Sequence, residues 1–173
     1  KGIEFLKRSK GSFILGHVLP MLREIEERLG KLPEVEKVNI AGSTRRMKET
    51  IGDADFLVVS SKPEKIMDFF ISMPDVVHVY SKGPTKAMVK LKIGLDADIR
   101  VVPGKSYGAA LQYFTGNKDH NVALRKIAIE KGWKLSEYGV FDRRDKYLFG
   151  KNEEEVYEKL GMKWVPPELR ENT

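Results

Sequence analysis

The chain has 173 residues, 41% of them hydrophobic, with 31 Lys and Arg against 25 Asp and Glu for a formal charge of +6. That length holds one ordinary domain or two small lobes around an apolar core, and the positive balance favours a polyanionic partner without identifying one. There is no cysteine for a disulfide or a thiolate metal site, no apolar run near the roughly 18 residues of a membrane span, and no secretory signal at the start, so the expected setting is the cytoplasm.

Leu15, Leu19, Leu22, Ile25 and Leu29 recur at helical spacing, and Gly30 is placed to end that helix. Pro20 predicts that the regular helix begins close before it, because proline is tolerated in a first turn. Val35, Val38 and Ile40 lead as a strand into a Gly42-Ser43 turn, residues 45–52 connect, and a second strand begins near Asp53 and runs through Phe56-Leu57-Val58-Val59. Pro63 and Glu64 open a helix through Met67, Phe70 and Ile71, and Val76, Val77, Val79 and Tyr80 read as a strand. Next, Lys86, Met88, Lys90 and Lys92 alternate with Ala87, Val89, Leu91 and Ile93. Gly94 turns the chain, and Leu95, Ala97, Ile99 and Val101 alternate with Asp96, Asp98 and Arg100. Period-two alternation on both sides of a glycine predicts an antiparallel hairpin with one apolar side.

After Pro103-Gly104 the character changes. Ser106 is a candidate cap for a helix through Tyr113, and Asn117 or Asp119 for another that carries Leu124, Ile127 and Ala128 before Gly132. Residues 133–141 and 147–149 read as short strands, and Asn152 as the cap of a helix over 153–160. The expected class is α+β: residues 1–104 as a small, largely antiparallel mixed sheet backed by helices, and residues 105–173 as a smaller α+β lobe.

Side chains at i and i+2 leave a strand on the same face, so Asp53 and Asp55 project together, as do Asp96, Asp98 and Arg100. If the two strands are neighbours, three or four carboxylates converge and repel one another unless cations sit among them. An all-oxygen donor set suits Mg²⁺, and two ions about 3.5 to 4 Å apart can clamp the attacking and leaving oxygens of a phosphoryl transfer. An isolated Asp-x-Asp is ordinarily a solvated strand end. Here Gly42-Ser43 lies upstream, where small residues let backbone N–H groups approach a phosphate, and Arg46 adds a planar donor. The combination points to metal-assisted nucleotidyl transfer.

These residues, with Tyr113-Phe114-Thr115-Gly116, Asn121, Arg125 and Glu137-Tyr138 in the second half, resemble the family X DNA polymerases of the wider nucleotidyltransferase superfamily. The resemblance covers nearly the whole chain and implies a palm followed by a nucleotide-binding lobe. It implies that Asp53, Asp55 and Asp98 hold two Mg²⁺ ions, with Mn²⁺ as a substitute, and that Asp98 also accepts the primer 3′-hydroxyl proton. By the same resemblance Gly42, Ser43, Arg46 and Gly52 hold the triphosphate, with Arg8 as a further contact. Tyr113, Phe114 and Gly116 pack on the deoxyribose, Asn121 meets the base from the minor-groove side, and Arg125 and Tyr138 face DNA. Arg100 becomes a switch that pairs with Asp55 when the enzyme is open and with Glu137 when it is closed.

Two positions depart from the family pattern. Asp96 stands where better-known relatives carry a basic residue that contacts the primer, and Lys118 replaces an acidic residue near the base. The implied partners are a dNTP and primer-template or gapped DNA, with no membrane, acting as a monomer in gap-filling repair. The chain reads as a core excised from a protein with further domains. Two rivals stand beside this reading. One is a nucleotidyltransferase that modifies a small molecule, an RNA end or a protein, which would not need residues 113–125. The other is a nucleotide-binding or DNA-binding module without turnover, which would show a broken carboxylate set. His17, His78 and His120 have no metal-ligand spacing. Lys82, Lys86, Lys90 and Lys92 read equally as a DNA-backbone stripe or a solvated strand face.

Overall fold

The computed structural model describes residues 7–8 and 11–171; the side chain of Arg8 lies outside the described residues. In chain order the elements begin with β1 (Lys7–Arg8), β2 (Ser12–Ile14), α1 (Leu15–Gly30), β3 (Lys37–Ala41), α2 (Gly42–Arg45), β4 (Thr50–Ile51) and β5 (Asp53–Val59). They continue with α3 (Pro63–Ile71), β6 (Val76–Lys82), β7 (Lys86–Leu91), β8 (Asp96–Val102), α4 (Tyr107–Thr115) and α5 (Lys118–Glu130). The last are β9 (Lys134–Ser136), β10 (Gly139–Phe141), β11 (Tyr147–Phe149) and α6 (Glu153–Lys159).

Five strands form one sheet in the order β3-β5-β8-β7-β6, in which β5 and β8 are parallel and the other three pairings antiparallel. The β7–β8 hairpin is the one that the alternation predicted, with Ala87, Val89 and Leu91 buried on one face. Against that face pack Leu22, Ile25 and Leu29 of α1 and Ile66, Met67 and Phe70 of α3, which fill the main core with Ile40, Phe56, Val58 and Ile99. Such burial, at about 25 cal/mol per Å², is what holds a sheet-and-helix unit of this size together.

The other sheet face is divided along its length. Asp53 and Asp55 occupy the start of β5, and Leu57 and Val59, two and four residues on, share their side of the strand. These two pack with Val102, Ala110 and Leu111 in a separate cluster under α4. The apolar run 56–59 is therefore buried on both sides, while the acidic end lies beyond that cluster, with Asp53 exposed and Asp55 half-buried. A third core, Leu124, Val140, Val156, Tyr157 and Leu160 among others, joins α5, the β9-β10-β11 sheet and α6.

Several local expectations shift. Pro20 is the sixth residue of α1, because Leu15 and Val18 ahead of it are buried and draw the helix start toward them despite the lost backbone hydrogen bond. Ser106 does not cap α4; its hydroxyl donates to the Tyr138 carbonyl at 2.8 Å. Asn117 does cap α5, accepting from the His120 N–H at 2.9 Å, whereas the Asn152 side chain makes no cap bond to α6. Gly108 lets α4 rest on the start of α6, where an added Cβ would stand 2.1 Å from the Asn152 carbonyl carbon. Among the described residues no helix is long and apolar enough to cross a membrane.

Candidate active site

The parallel register sets Asp53 opposite Asp96 and Asp55 opposite Asp98, so four carboxylates stand in two rows on one face. Neighbouring strands frame them: Ala41 of β3 lies opposite Asp55, and Met88 and Lys90 of β7 lie opposite Asp98 and Asp96. Just past Ala41 the chain turns at Gly42 with φ +64, and a Cβ there would come within 2.1 Å of Asp55 Oδ2. Only glycine leaves that hollow for the carboxylate.

This crowding is costly for the ionised form. Burial, then the charges of Asp53 and Asp98, push the Asp55 carboxyl up to about 7, although Arg46 and Arg100 act through space in the opposite sense. Burial and then Asp96 raise Asp53. Burial and then Asp53 raise Asp98, with Lys86 and Arg100 opposing. Asp96 is tethered by the Tyr80 hydroxyl, which donates to its Oδ1 at 2.9 Å. Among the described residues no three carboxylates or imidazoles are gathered into a closed metal-binding group. The donor chemistry nonetheless fits a hard divalent cation, because oxygen-only ligands that repel each other are stabilised by positive charge placed between them.

In front of the rows lies an open cleft of about 480 Å³. Gly42, Ser43, Arg46, Asp53 and Asp55 form its palm wall, and Tyr113, Phe114, Gly116, Asn121 and Arg125 its opposite wall, with Lys118 at the α5 start. A smaller pocket of about 100 Å³ adjoins it between Asp55, Asp98, Arg100 and Phe114. The Tyr113 and Phe114 rings meet edge to face at 5.0 Å between centroids, and the Arg100 guanidinium lies over Phe114 at 4.7 Å. Arg100 is 3.8 Å from Glu137, which makes Glu137 the one of its two expected partners at ion-pair distance. Gly52 and Tyr138 do not line the cleft: Gly52 is exposed between β4 and β5, and Tyr138 is 54% exposed. His120 is buried against the Tyr157 hydroxyl at 2.8 Å, a place in the core of the second lobe.

Comparison with known proteins meets this geometry from two sides. The family "DNA polymerase beta thumb" matches residues 110–171. The DNA polymerase/3'-5' exonuclease PolX of Bacillus subtilis is 35% identical over 164 residues, which are 92% of this chain and 29% of that protein. The chain belongs to the family X DNA polymerases. It spans under a third of the length of that PolX relative. Human DNA-directed DNA/RNA polymerase mu is 36% identical over 75 residues, 42% of this chain and 15% of that one. In structure, Leishmania infantum polymerase beta in a ternary P/T complex matches with a TM-score of 0.80 and 25% identity over 94% of this chain and 77% of that one.

Behind the cleft, this family X chain carries a network that its sequence did not reveal. Arg45 donates to both oxygens of Glu153 at 2.8 and 3.0 Å and to the Thr115 hydroxyl at 2.8 Å. Arg170, 0% exposed, donates to the same carboxylate at 2.8 Å, as does the Trp164 indole. Burial alone would raise the Glu153 carboxyl, but hydrogen bonds from Arg45 and Arg170 overcome it and hold the group down at about 2. Next in sequence, Arg46 donates to Glu171 at 2.9 Å and to the Thr115 carbonyl. The two adjacent arginines thus tie the palm turn to the second lobe. Glu153 lies 108 residues from Arg45, so no local pattern announces the pair.

Proposed function

We propose that this chain is the nucleotidyl-transfer core of a DNA-directed DNA polymerase. The oxygen of a primer 3′-hydroxyl bonds to the α-phosphorus of a dNTP, the bond from that phosphorus to the bridging oxygen breaks, and pyrophosphate leaves. The observation that carries this reading is the register of β5 with β8, which puts four carboxylates on one face, with Asp53 and Asp55 lining a cleft whose far wall carries Tyr113, Asn121 and Arg125 and Asp98 lining the pocket beside it. A nucleotidyltransferase acting on a small molecule has no need of that second wall.

Asp53, Asp55 and Asp98 would hold Mg²⁺, or Mn²⁺ in its place, and two such ions when bound neutralise the charge that develops on the phosphoryl oxygens. Asp98, in the smaller pocket, takes the hydroxyl proton. Ser43 and Arg46 hold the triphosphate, and a phosphate anion arriving at Arg46 competes with its Glu171 partner. Tyr113 and Phe114 receive the sugar, Asn121 the base edge and Arg125 the template strand. We take the palm as 1–104 and the nucleotide-binding lobe as 105–173; the largest apolar cluster of each supports the division, and a smaller cluster under α4 joins the two. The setting is gap-filling repair in the cytoplasm, by a monomer with further domains in the whole protein.

The test is extension of a 5′-labelled primer, on gapped and on open templates, with each dNTP singly and with Mg²⁺ or Mn²⁺. Incorporation of only the complementary nucleotide is expected. Transfer that ignores the template, or none with either metal, overturns the proposal.

A further inference from the structure

We infer that Gln112 is a positioning residue that fixes the hydrogen-bonding sense of Asn121, so that the cleft is offered an N–H donor. The inference deepens the polymerase reading above and rests on it.

Gln112 sits inside α4, 1% exposed, and does not line the cleft. Its Nε2 donates to Asn121 Oδ1 at 2.6 Å, while Asn121 Nδ2 donates to the Tyr113 carbonyl at 2.8 Å. The two contacts agree on one orientation. A backbone carbonyl can only accept, so it must face the NH₂ end of the Asn121 amide; the Gln112 NH₂ can only donate, so it must face the oxygen. With Oδ1 facing the buried Gln112 amide and one Nδ2 hydrogen committed to the Tyr113 carbonyl, the second Nδ2 hydrogen is the donor that the amide keeps for the cleft that Asn121 lines. A buried amide held at both ends cannot flip without leaving a polar group unpaired.

A donor there has a specific use. In the minor groove, the A·T and T·A pairs both present the purine N3 and pyrimidine O2 acceptors, and G·C pairs keep these while adding one donor. A single fixed N–H therefore suits any correctly paired nucleotide, whereas a flipped amide would present an oxygen to an acceptor and repel it. Gln112, one residue before Tyr113, would thus set how strongly the site distinguishes a well-seated base pair from a displaced one.

The experiment is steady-state incorporation by the full chain of natural dATP and of 3-deaza-dATP, which lacks the N3 acceptor. Wild type, Gln112→Leu, Gln112→Met, Asn121→Ala and the Gln112→Leu/Asn121→Ala double variant are compared, each checked by thermal unfolding. Losing one hydrogen bond of this kind predicts a rise of about three- to tenfold in the dATP KM of Gln112→Leu with kcat nearly unchanged, and Gln112→Met serves if the leucine variant does not fold. The 3-deaza penalty seen in wild type should shrink in the Gln112 variants, and the double variant should be no worse than Asn121→Ala alone. Multiplying effects in the double variant, or a full 3-deaza penalty in folded Gln112 variants, overturns the role of Gln112 and leaves the polymerase reading standing. An inactive wild type overturns both.

Discussion

Asp55 and Glu153 are both acids drawn out of water, and they respond in opposite directions. Glu153 receives two arginines and an indole from its own chain and is held down at about 2. Asp55 has other carboxylates for neighbours, feels Arg46 and Arg100 only through space, and is pushed up to about 7. Burial penalises the ionised form in each case; direct hydrogen-bond donors decide the outcome. The buried charge of the second lobe is satisfied by Arg170 and Trp164 of that lobe together with Arg45 of the palm turn. The palm gives Asp55 no direct donor from a basic side chain, the arrangement expected if the proposed cations bind there.

The strongest way to break this contrast is to remove a carboxylate from each region. Asp98→Ala should cut primer extension by at least about 10³-fold, the scale of losing a group that acts on the transition state, while the unfolding midpoint holds or rises because repulsion is relieved. Extension near the wild-type rate would contradict the assignment. Glu153→Gln should do the reverse. It leaves Arg45 and Arg170 facing a neutral group in the interior, and urea unfolding should show a loss of about 3–5 kcal/mol.

Acidity sharpens the same contrast. Glu153 is depressed in the fold, so its stabilisation, on the order of 3 kcal/mol, is complete above its ordinary 4.5 and is lost as pH falls through about 2. Asp55 is raised, so the folded state binds its proton more tightly. Its contribution is present below the ordinary 3.8 and is lost as pH rises through about 7. Unfolding in EDTA should therefore show stability declining on both flanks, and Asp55→Asn should lessen the decline on the side of rising pH, to which the raised Asp53 and Asp98 also contribute, without touching the acid side.

The smallest effect is expected where the regions meet. Arg100 is 3.8 Å from Glu137 and stacks on Phe114, so Arg100→Ala should raise the nucleotide KM only several-fold, the scale of a partly exposed ion pair with an aromatic contact. Single-turnover rates separate this from a change in chemistry. No change in either quantity would leave Arg100 a static bridge.

The palm was more legible in the sequence than the lobe behind it, for physical reasons. In β7 and β8 every second residue is buried, so period two is printed on the chain. In β5 the pattern stops at Phe56, because α4 covers the face that the aspartates leave, and burial on both sides erases alternation. The i, i+2 carboxylates were readable as pairs; their parallel register, which makes four of them one patch, was not. The β1-β2-β4 sheet has strands of two or three residues, too short for any periodicity. Gln112, Glu153 and Arg170 look like ordinary helix and tail residues until tertiary contact gives them partners. Gly52 and Tyr138 carried family roles by motif position, and the geometry places both away from the cleft lining.

The most direct measurement is the carboxyl ¹³C titration of Asp55 in the wild-type chain, without divalent cations and then with Mg²⁺. A midpoint of about 7 is expected in the metal-free protein, with a return to the ordinary carboxylate range once Mg²⁺ is added. An ordinary midpoint without metal, or one that Mg²⁺ does not move, would contradict the claim that this face is built to receive cations.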